Sequence, residues 1–196
     1  MKTQDEWNGI TSLPYGTIMG HTWHEAGQIL RVINDFDVTA FIEVGTNVGG
    51  LTSLLFGRIA VNDEFKYLGL ELDFSIVNQR VLALRAFSPR FRILNLDCFS
   101  EEAFNEVGTH LRNSGRCIIY CDGGNKVKEL YHFAPLLRSN DIIMAHDYYD
   151  EQRIVRDVDN PKAEVMPKDV MVLESLHKLT PIQGYFDNTR LIGWVK

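Results

Sequence analysis

Residues 39–59 read TAFIEVGTNVGGLTSLLFGRI, and how this stretch is read decides the fold. TAFIEV at 39–44 is a short apolar run suited to a buried strand. It ends in a glycine-rich turn, and residues 50–59 then read as a helix. Such a strand-turn-helix junction is where open α/β sheets bind ligands. Glycines at 45, 49 and 50 let the backbone turn sharply and approach a ligand closely. A plain tight turn that binds nothing is the alternative reading of the glycines alone.

Outward from this junction the alternation repeats. KYLGLEL at 66–72 is strand-like and 75–87 helical; 91–96 is a strand and 101–112 a helix. RCIIYC at 116–121 is β-rich, 126–138 helical, and DIIMA at 141–145 another buried-strand run. A helix at 24–36 precedes the first strand. A charged stretch at 150–168 with Pro161 and Pro167 reads as a lid-like surface loop, and 170–178 as a helix. Runs at 182–186 and 190–195, around Asp187-Asn188-Thr189, read as a hairpin. The expected architecture is α/β: a Rossmann-like, doubly wound, seven-stranded sheet, mostly parallel, with a C-terminal antiparallel hairpin. The expected organisation is an N-terminal arm or flap at 1–23 and a single domain at 24–196.

Composition limits the function classes. The chain has 196 residues, 20 basic and 26 acidic, for a net charge of -6. That balance argues against a nucleic-acid partner, which calls for a basic face. No apolar run nears the ~20 residues of a membrane span. The first residues, MKTQDEWNGITSLPYG, lack the apolar core of a secretory signal. Cys98, Cys117 and Cys121 form no C-x-x-C pair and read as reduced thiols of a cytoplasmic protein. A monomer and a homodimer are both open.

The turn Glu43-Val44-Gly45-Thr46-Asn47-Val48-Gly49-Gly50 discriminates between cofactors. A dinucleotide fingerprint needs glycine where Asn47 stands, so that the backbone can meet a pyrophosphate. Glu43 would repel a pyrophosphate but attract an ammonium or sulfonium. A cationic nucleoside ligand fits better than NAD. Glu71, at the end of the second strand, can accept hydrogen bonds from a ribose diol, or be simply a solvated acid. Beyond the third strand, Asp97 and Cys98 stand where an adenine edge could be read. Asp97 or Ser100 could equally cap the next helix.

These residues resemble the class I S-adenosylmethionine-dependent methyltransferases. The match is an E/D-x-G-x-x-x-G turn at Glu43, Gly45 and Gly49, with acids after strands two and three at Glu71 and Asp97. The resemblance implies that Glu43 and the loop Gly45, Thr46, Asn47, Gly49 and Gly50 hold the methionine part of S-adenosylmethionine. It implies that Glu71 holds the ribose.

Strand four ends in Asp122-Gly123-Gly124-Asn125-Lys126 and strand five in His146-Asp147. Two carboxylates and an imidazole form a candidate site for a divalent metal such as Mg or Mn. This part resembles small-molecule O-methyltransferases with Asp-Gly-x-His and His-Asp motifs, some of which bind a metal through the two acids. The resemblance puts Asp122 and Asp147 in ligand positions. Asn125 replaces the histidine, and an amide cannot act as a base. His146 is then the better base candidate, or else a core-edge histidine bonded to backbone. Lys126 is a second base if burial lowers its pKa.

The expected reaction is methyl transfer to a small-molecule or saccharide acceptor, with O-methylation favoured. The alternatives are an NAD-dependent oxidoreductase and a non-catalytic cofactor-binding or scaffolding protein, for which Asn125 would mark the lost base. A nucleic-acid or protein methyltransferase is a further alternative; the N-P-P-Y motif of amino-group DNA methyltransferases is absent after strand four.

Overall fold

The computed structural model describes residues 22–149, 164–186 and 189–196. Among the described residues the first helix, α1 (Trp23–Asp35), starts with a capping box. Thr22 accepts the Glu25 backbone N–H, and the Glu25 carboxylate accepts the Thr22 N–H in return. Strand β1 (Ala40–Val44) is buried along its whole length. It leads into α2 (Gly50–Val61), then β2 (Lys66–Glu71), a short α3 (Gln79–Ala83) and β3 (Phe91–Asn95). After these come α4 (Glu101–Arg112), β4 (Cys117–Cys121), α5 (Lys126–Phe133), β5 (Ile142–Ala145), α6 (Pro167–His177), β6 (Thr180–Pro181) and β7 (Ile192–Val195).

The seven strands form one sheet in the order β3-β2-β1-β4-β5-β7-β6. Strands β1 to β5 run parallel, and β7 is antiparallel to both β5 and β6. The chain leaves β1 toward β2 and later returns to place β4 on the other side of β1. The direction of winding therefore reverses between β1 and β4, and the crevice this leaves at the carboxyl ends is the ligand position of open α/β sheets. Register makes that edge even: Val44 pairs with Leu70 and with Cys121, and Cys121 pairs with Ala145. The next residues, Gly45, Glu71, Asp122 and His146, emerge along one rim.

Alternation along the strands divides the core. Ile42, Leu68, Ile119 and Ile143 pack with Val107, Leu130, Leu173 and Trp194 on the face of α4, α5 and α6. Phe41, Tyr67, Ile118 and Met144 pack with Ile29, Leu55 and Val81 on the face of α1, α2 and α3. Both faces are covered, as a parallel sheet requires.

Four expected elements differ in extent. The helix expected at 75–87 shrinks to α3 and a 3-10 turn at Leu84–Ala86. Asp73 accepts the Ser75 N–H and Asn78 the Arg80 N–H, so side chains compete with earlier helical turns. The helix expected at 126–138 stops at Phe133 and tightens into a 3-10 turn, Ala134–Leu136. Pro135, which has no N–H to donate, ends it. The strand expected at 182–186 is replaced by β6, two residues earlier; Ile182 and Phe186 turn into the core, and Gly184 has φ +76°. Finally, the last residues of the expected loop at 150–168 are not lid-like. Val165 is buried, Tyr149 donates to its carbonyl at 2.9 Å, and Pro167 opens α6. The rest of that loop, the arm up to residue 21 and Asp187-Asn188 of the expected turn lie outside the described residues.

Candidate functional site

The glycine turn is built by backbone geometry that side chains would obstruct. Gly45 has φ +84°, and a Cβ there would come within 2.6 Å of the Asp122 carbonyl and Gly123 Cα. Gly49 has φ +89° and would press its Cβ to 2.9 Å from Val81. Between them Asn47 also takes a positive φ, 51°, and its Oδ1 accepts the Val48 N–H at 2.8 Å. Asparagine tolerates this conformation better than most residues. Glu71 holds the turn from the neighbouring strand: Oε2 accepts the Asn47 N–H at 2.7 Å and Oε1 the Asp73 N–H at 3.0 Å.

A small cleft lies inside the turn, lined by Glu43, Gly45, Thr46, Asn47, Gly50 and Asp122, with Val48 and Leu51. Glu43 closes its floor. Its Oε2 accepts from Thr52 Oγ1 at 2.6 Å and from the Tyr67 hydroxyl. Burial, reinforced by the charges of Asp122 and Glu71, pushes the Glu43 pKa up to about 8 against those hydrogen bonds. Glu43 is therefore a largely neutral acid at pH 7. The sequence reading took it as a negative charge; in the fold, burial keeps it protonated.

Beyond β3, the cap of α4 is Ser100, which accepts the Ala103 N–H at 3.1 Å. Asp97 is exposed and accepts the Phe99 N–H at 2.9 Å. The capping alternative for Asp97 is thereby settled against it. Asn95 donates to the Glu71 and Leu72 carbonyls and ties the ends of β2 and β3 together. Cys98 is half-buried; burial and the charges of Glu129 and Asp97 push its thiol up to about 12, so it remains a neutral thiol. His110, His132 and His177 lie in helices, as the sequence suggested; His132 packs edge-on against Phe99 and Phe104, beside the end of β3. Tyr148 is core, while Tyr149 is partly exposed.

At the ends of β4 and β5 lies a dense ionic cluster. Ligand atoms of Asp122, His146 and Asp147 lie within 4.8 Å of one another. His146 Nδ1 is 3.5 Å from Asp122 Oδ1 and 3.2 Å from Asp147 Oδ1, and its Nε2 is 3.3 Å from Glu25 Oε1. Lys126 Nζ is 3.1 Å from Asp147 Oδ2 and 2.9 Å from Glu164 Oε2. Arg190 Nη1 donates to Asp147 Oδ1 at 2.9 Å. Asp147 itself takes φ 57°, which turns its carboxylate into this group.

Charges set each other's protonation here. Burial opposes ionisation of Asp147, but His146 and Lys126 hold its carboxyl well below the usual range. Glu25 is held low in the same way by His146, the Thr22 N–H and Arg190. Burial disfavours the imidazolium, yet Asp147, Glu25 and Asp122 push the His146 pKa up to about 9. Burial also disfavours the Lys126 ammonium, but Glu164, Asp122 and Asp147 raise its pKa. This corrects the expectation for Lys126: burial does not release a neutral amine, because its carboxylate partners outweigh desolvation. It also corrects the ordinary pKa assumed for His146.

Asp122 joins the two halves, since it lines the cleft and belongs to the ionic cluster. Its loop is shaped by Glu129, fully buried, which accepts the Gly123 N–H at 3.2 Å and the Asn125 N–H at 3.0 Å. Asn125, the departure from the expected histidine, is the N-cap of α5 and accepts the Lys128 N–H at 3.0 Å. Sequence reasoning missed Glu25, Glu129, Glu164 and Arg190. Only Glu25 carried a local signal, the T-x-x-E spacing from Thr22. The donor set of two carboxylates and one imidazole suits a divalent cation, with hard oxygens dominating.

No family model matches the sequence, and no curated protein matches it by sequence. Solved structures do match in shape. A Staphylococcus aureus protein assigned as a caffeoyl-CoA O-methyltransferase is 18% identical with a TM-score of 0.60, over 88% of this chain and 83% of that one. CmcI in a Mg-SAM form is 15% identical with a TM-score of 0.61, over 100% and 86%. The O-methyltransferase of Bacillus cereus in complex with SAH is 13% identical with a TM-score of 0.54, over 91% and 84%. The fold is the one these structures share, two of which carry the name O-methyltransferase. Among the described residues, no helix is long and apolar enough to cross a membrane.

Proposed function

We propose that this protein is an S-adenosylmethionine-dependent methyltransferase acting on an oxygen of a small-molecule or saccharide acceptor in the cytoplasm. The observation that carries the reading is the position of Asp122. It is shared by a glycine-lined cleft over a buried acid and by a cluster of metal-type donors, at the crevice where the sheet reverses. In this reading Glu43, Gly45, Thr46, Asn47, Gly49 and Gly50 receive the methionine part of the cofactor. The N-terminus of α2 supports this, because its cap Gly49 offers no side-chain acceptor and its N–H groups suit a ligand carboxylate. Glu71 receives the ribose, and Asp97 and Cys98 border the adenine.

Transfer needs the acceptor oxygen in line with the methyl carbon and the sulfur. The oxygen lone pair forms the new C–O bond while the C–S pair returns to sulfur, leaving a neutral thioether. The hydroxyl proton must leave to a base. Asp122, His146 and Asp147 would hold a divalent ion, which when bound acidifies such a hydroxyl. With no metal bound, His146 is the candidate proton acceptor once it has lost the proton that its carboxylate partners favour; with a metal bound it is a ligand instead, and Lys126 is withdrawn from the base role. The arm at 1–23 and the loop at 150–168 are the segments proposed to shape the acceptor pocket.

Calorimetric titration with S-adenosylhomocysteine and with NAD tests the assignment. The homocysteine compound should bind and NAD should not; the reverse would establish a nicotinamide enzyme. Asn125 favours one second reading, cofactor binding without turnover. Labelled S-adenosylmethionine incubated with a panel of catechols, phenols and sugars distinguishes it, since that reading predicts tight binding and no transferred label.

A further inference from the structure

Beside His146 and Arg190, the ionic cluster holds an ammonium against two of the three candidate metal donors. Lys126 Nζ lies 3.6 Å from Asp122 Oδ1 and 3.1 Å from Asp147 Oδ2, between two of the three candidate metal donors. Its side chain is only 5% exposed. Local preference does not explain a lysine here. Lys126 is the first residue of α5, where the helix dipole disfavours positive charge; only the surrounding carboxylates account for the ammonium. Two further acceptors hold Nζ from outside the donor group: Glu164 Oε2 at 2.9 Å and the Gly123 carbonyl at 3.1 Å.

We propose that the Lys126 ammonium and a divalent cation are alternative occupants of the Asp122–Asp147 carboxylate pair, so that Lys126 sets the metal affinity of the site. A Mg(II) ion bound to these oxygens at about 2.0–2.1 Å would stand against the ammonium with no carboxylate to spare between them. The two positive charges repel strongly in a buried setting. Entry of the metal therefore requires Nζ to give up Asp122 and Asp147. Glu164 and the Gly123 carbonyl give it a place to retreat without becoming unpaired, so the exchange does not strand a buried charge.

The inference rests on Asp122, His146 and Asp147 being the metal donors of the proposed enzyme. Mn(II) binding to the full chain is followed by electron paramagnetic resonance in the wild type, Lys126→Met and Lys126→Met/Asp147→Asn. Lys126→Met should bind Mn(II) at least roughly tenfold more tightly than the wild type, and the added Asp147→Asn should abolish the gain. Equal or weaker binding by Lys126→Met overturns the proposal. Should Lys126→Met not fold, the wild type alone decides. The Lys126 ammonium resonance in a 15N-detected lysine spectrum, assigned by its loss in Lys126→Arg, should shift on adding Mg(II). An unmoved resonance at millimolar Mg(II) overturns competition. S-adenosylhomocysteine titrated into the same samples reports on the methyltransferase reading separately, so either reading can fail alone.

Discussion

Gly45 is where one missing side chain matters most. Its φ of +84° is costly for any residue with a Cβ, and that Cβ would strike the Asp122 carbonyl and Gly123 backbone at 2.6 Å. Neither obstacle is a flexible side-chain tip, so the β1 and β4 ends would have to separate. Gly45→Ala should cost roughly 1–3 kcal/mol of stability from backbone strain. It should also abolish S-adenosylhomocysteine binding, measured by calorimetry on folded protein. A variant that binds with unchanged affinity would place the cofactor elsewhere. The motif made Gly45 legible, but the obstacle was not, because Asp122 and Gly123 lie 77 and 78 positions further along the chain.

Helix α1 shows one sequence signal serving two purposes. Thr22 and Glu25 cap its N-terminus, and that much follows from the T-x-x-E spacing. The same Glu25 side chain, 3% exposed, also meets His146 Nε2 at 3.3 Å and Arg190 Nε at 3.5 Å. Thr22→Ala loses only the cap and should cost about 1 kcal/mol. Glu25→Gln also strips a buried partner from His146 and Arg190, and should cost about 3 kcal/mol or more. In a chain of this size that separation is a difference of several degrees in melting temperature, roughly 2–4 °C per kcal/mol. Equal melting temperatures for the two variants would show that the ion pairs add nothing beyond the cap. Other helix ends were not caught: the expected helix at 126–138 ran through Pro135, where α5 gives way to a 3-10 turn, and the retreat of α3 to Gln79 depended on side-chain turns at Asp73 and Asn78.

For the molecule as a whole, the buried proton on Glu43 ties stability to pH. An unfolded glutamate titrates near 4.3, whereas the folded one titrates at about 8. Between those values the folded state binds the extra proton. Its contribution is therefore fully present below about pH 4.3 and is lost as pH rises toward 8. Glu43→Gln cannot ionise, so its stability relative to the wild type should increase steadily from pH 5 to 8. Denaturant melts of both proteins across that range check this, and a constant difference would show that Glu43 is ionised throughout. Cofactor charge should act against the same cost, because a cation in the cleft favours the ionised acid.

Periodicity and turn chemistry in the chain were enough to specify five parallel strands, the helices between them and the glycine junction, because those signals are local. The acids at strand ends followed from the same register, since a residue just beyond a parallel strand emerges at the carboxyl rim. Tertiary structure alone decided which of these groups carry charge. Glu43, His146 and Lys126 all depart from their ordinary titration: burial drives Glu43 up, whereas at His146 and Lys126 carboxylates overcome burial, Asp147 with the distant Glu25 for His146 and the distant Glu164 for Lys126. Desolvation and Coulomb interaction depend on distance through space, and a linear sequence carries that distance only once it has folded.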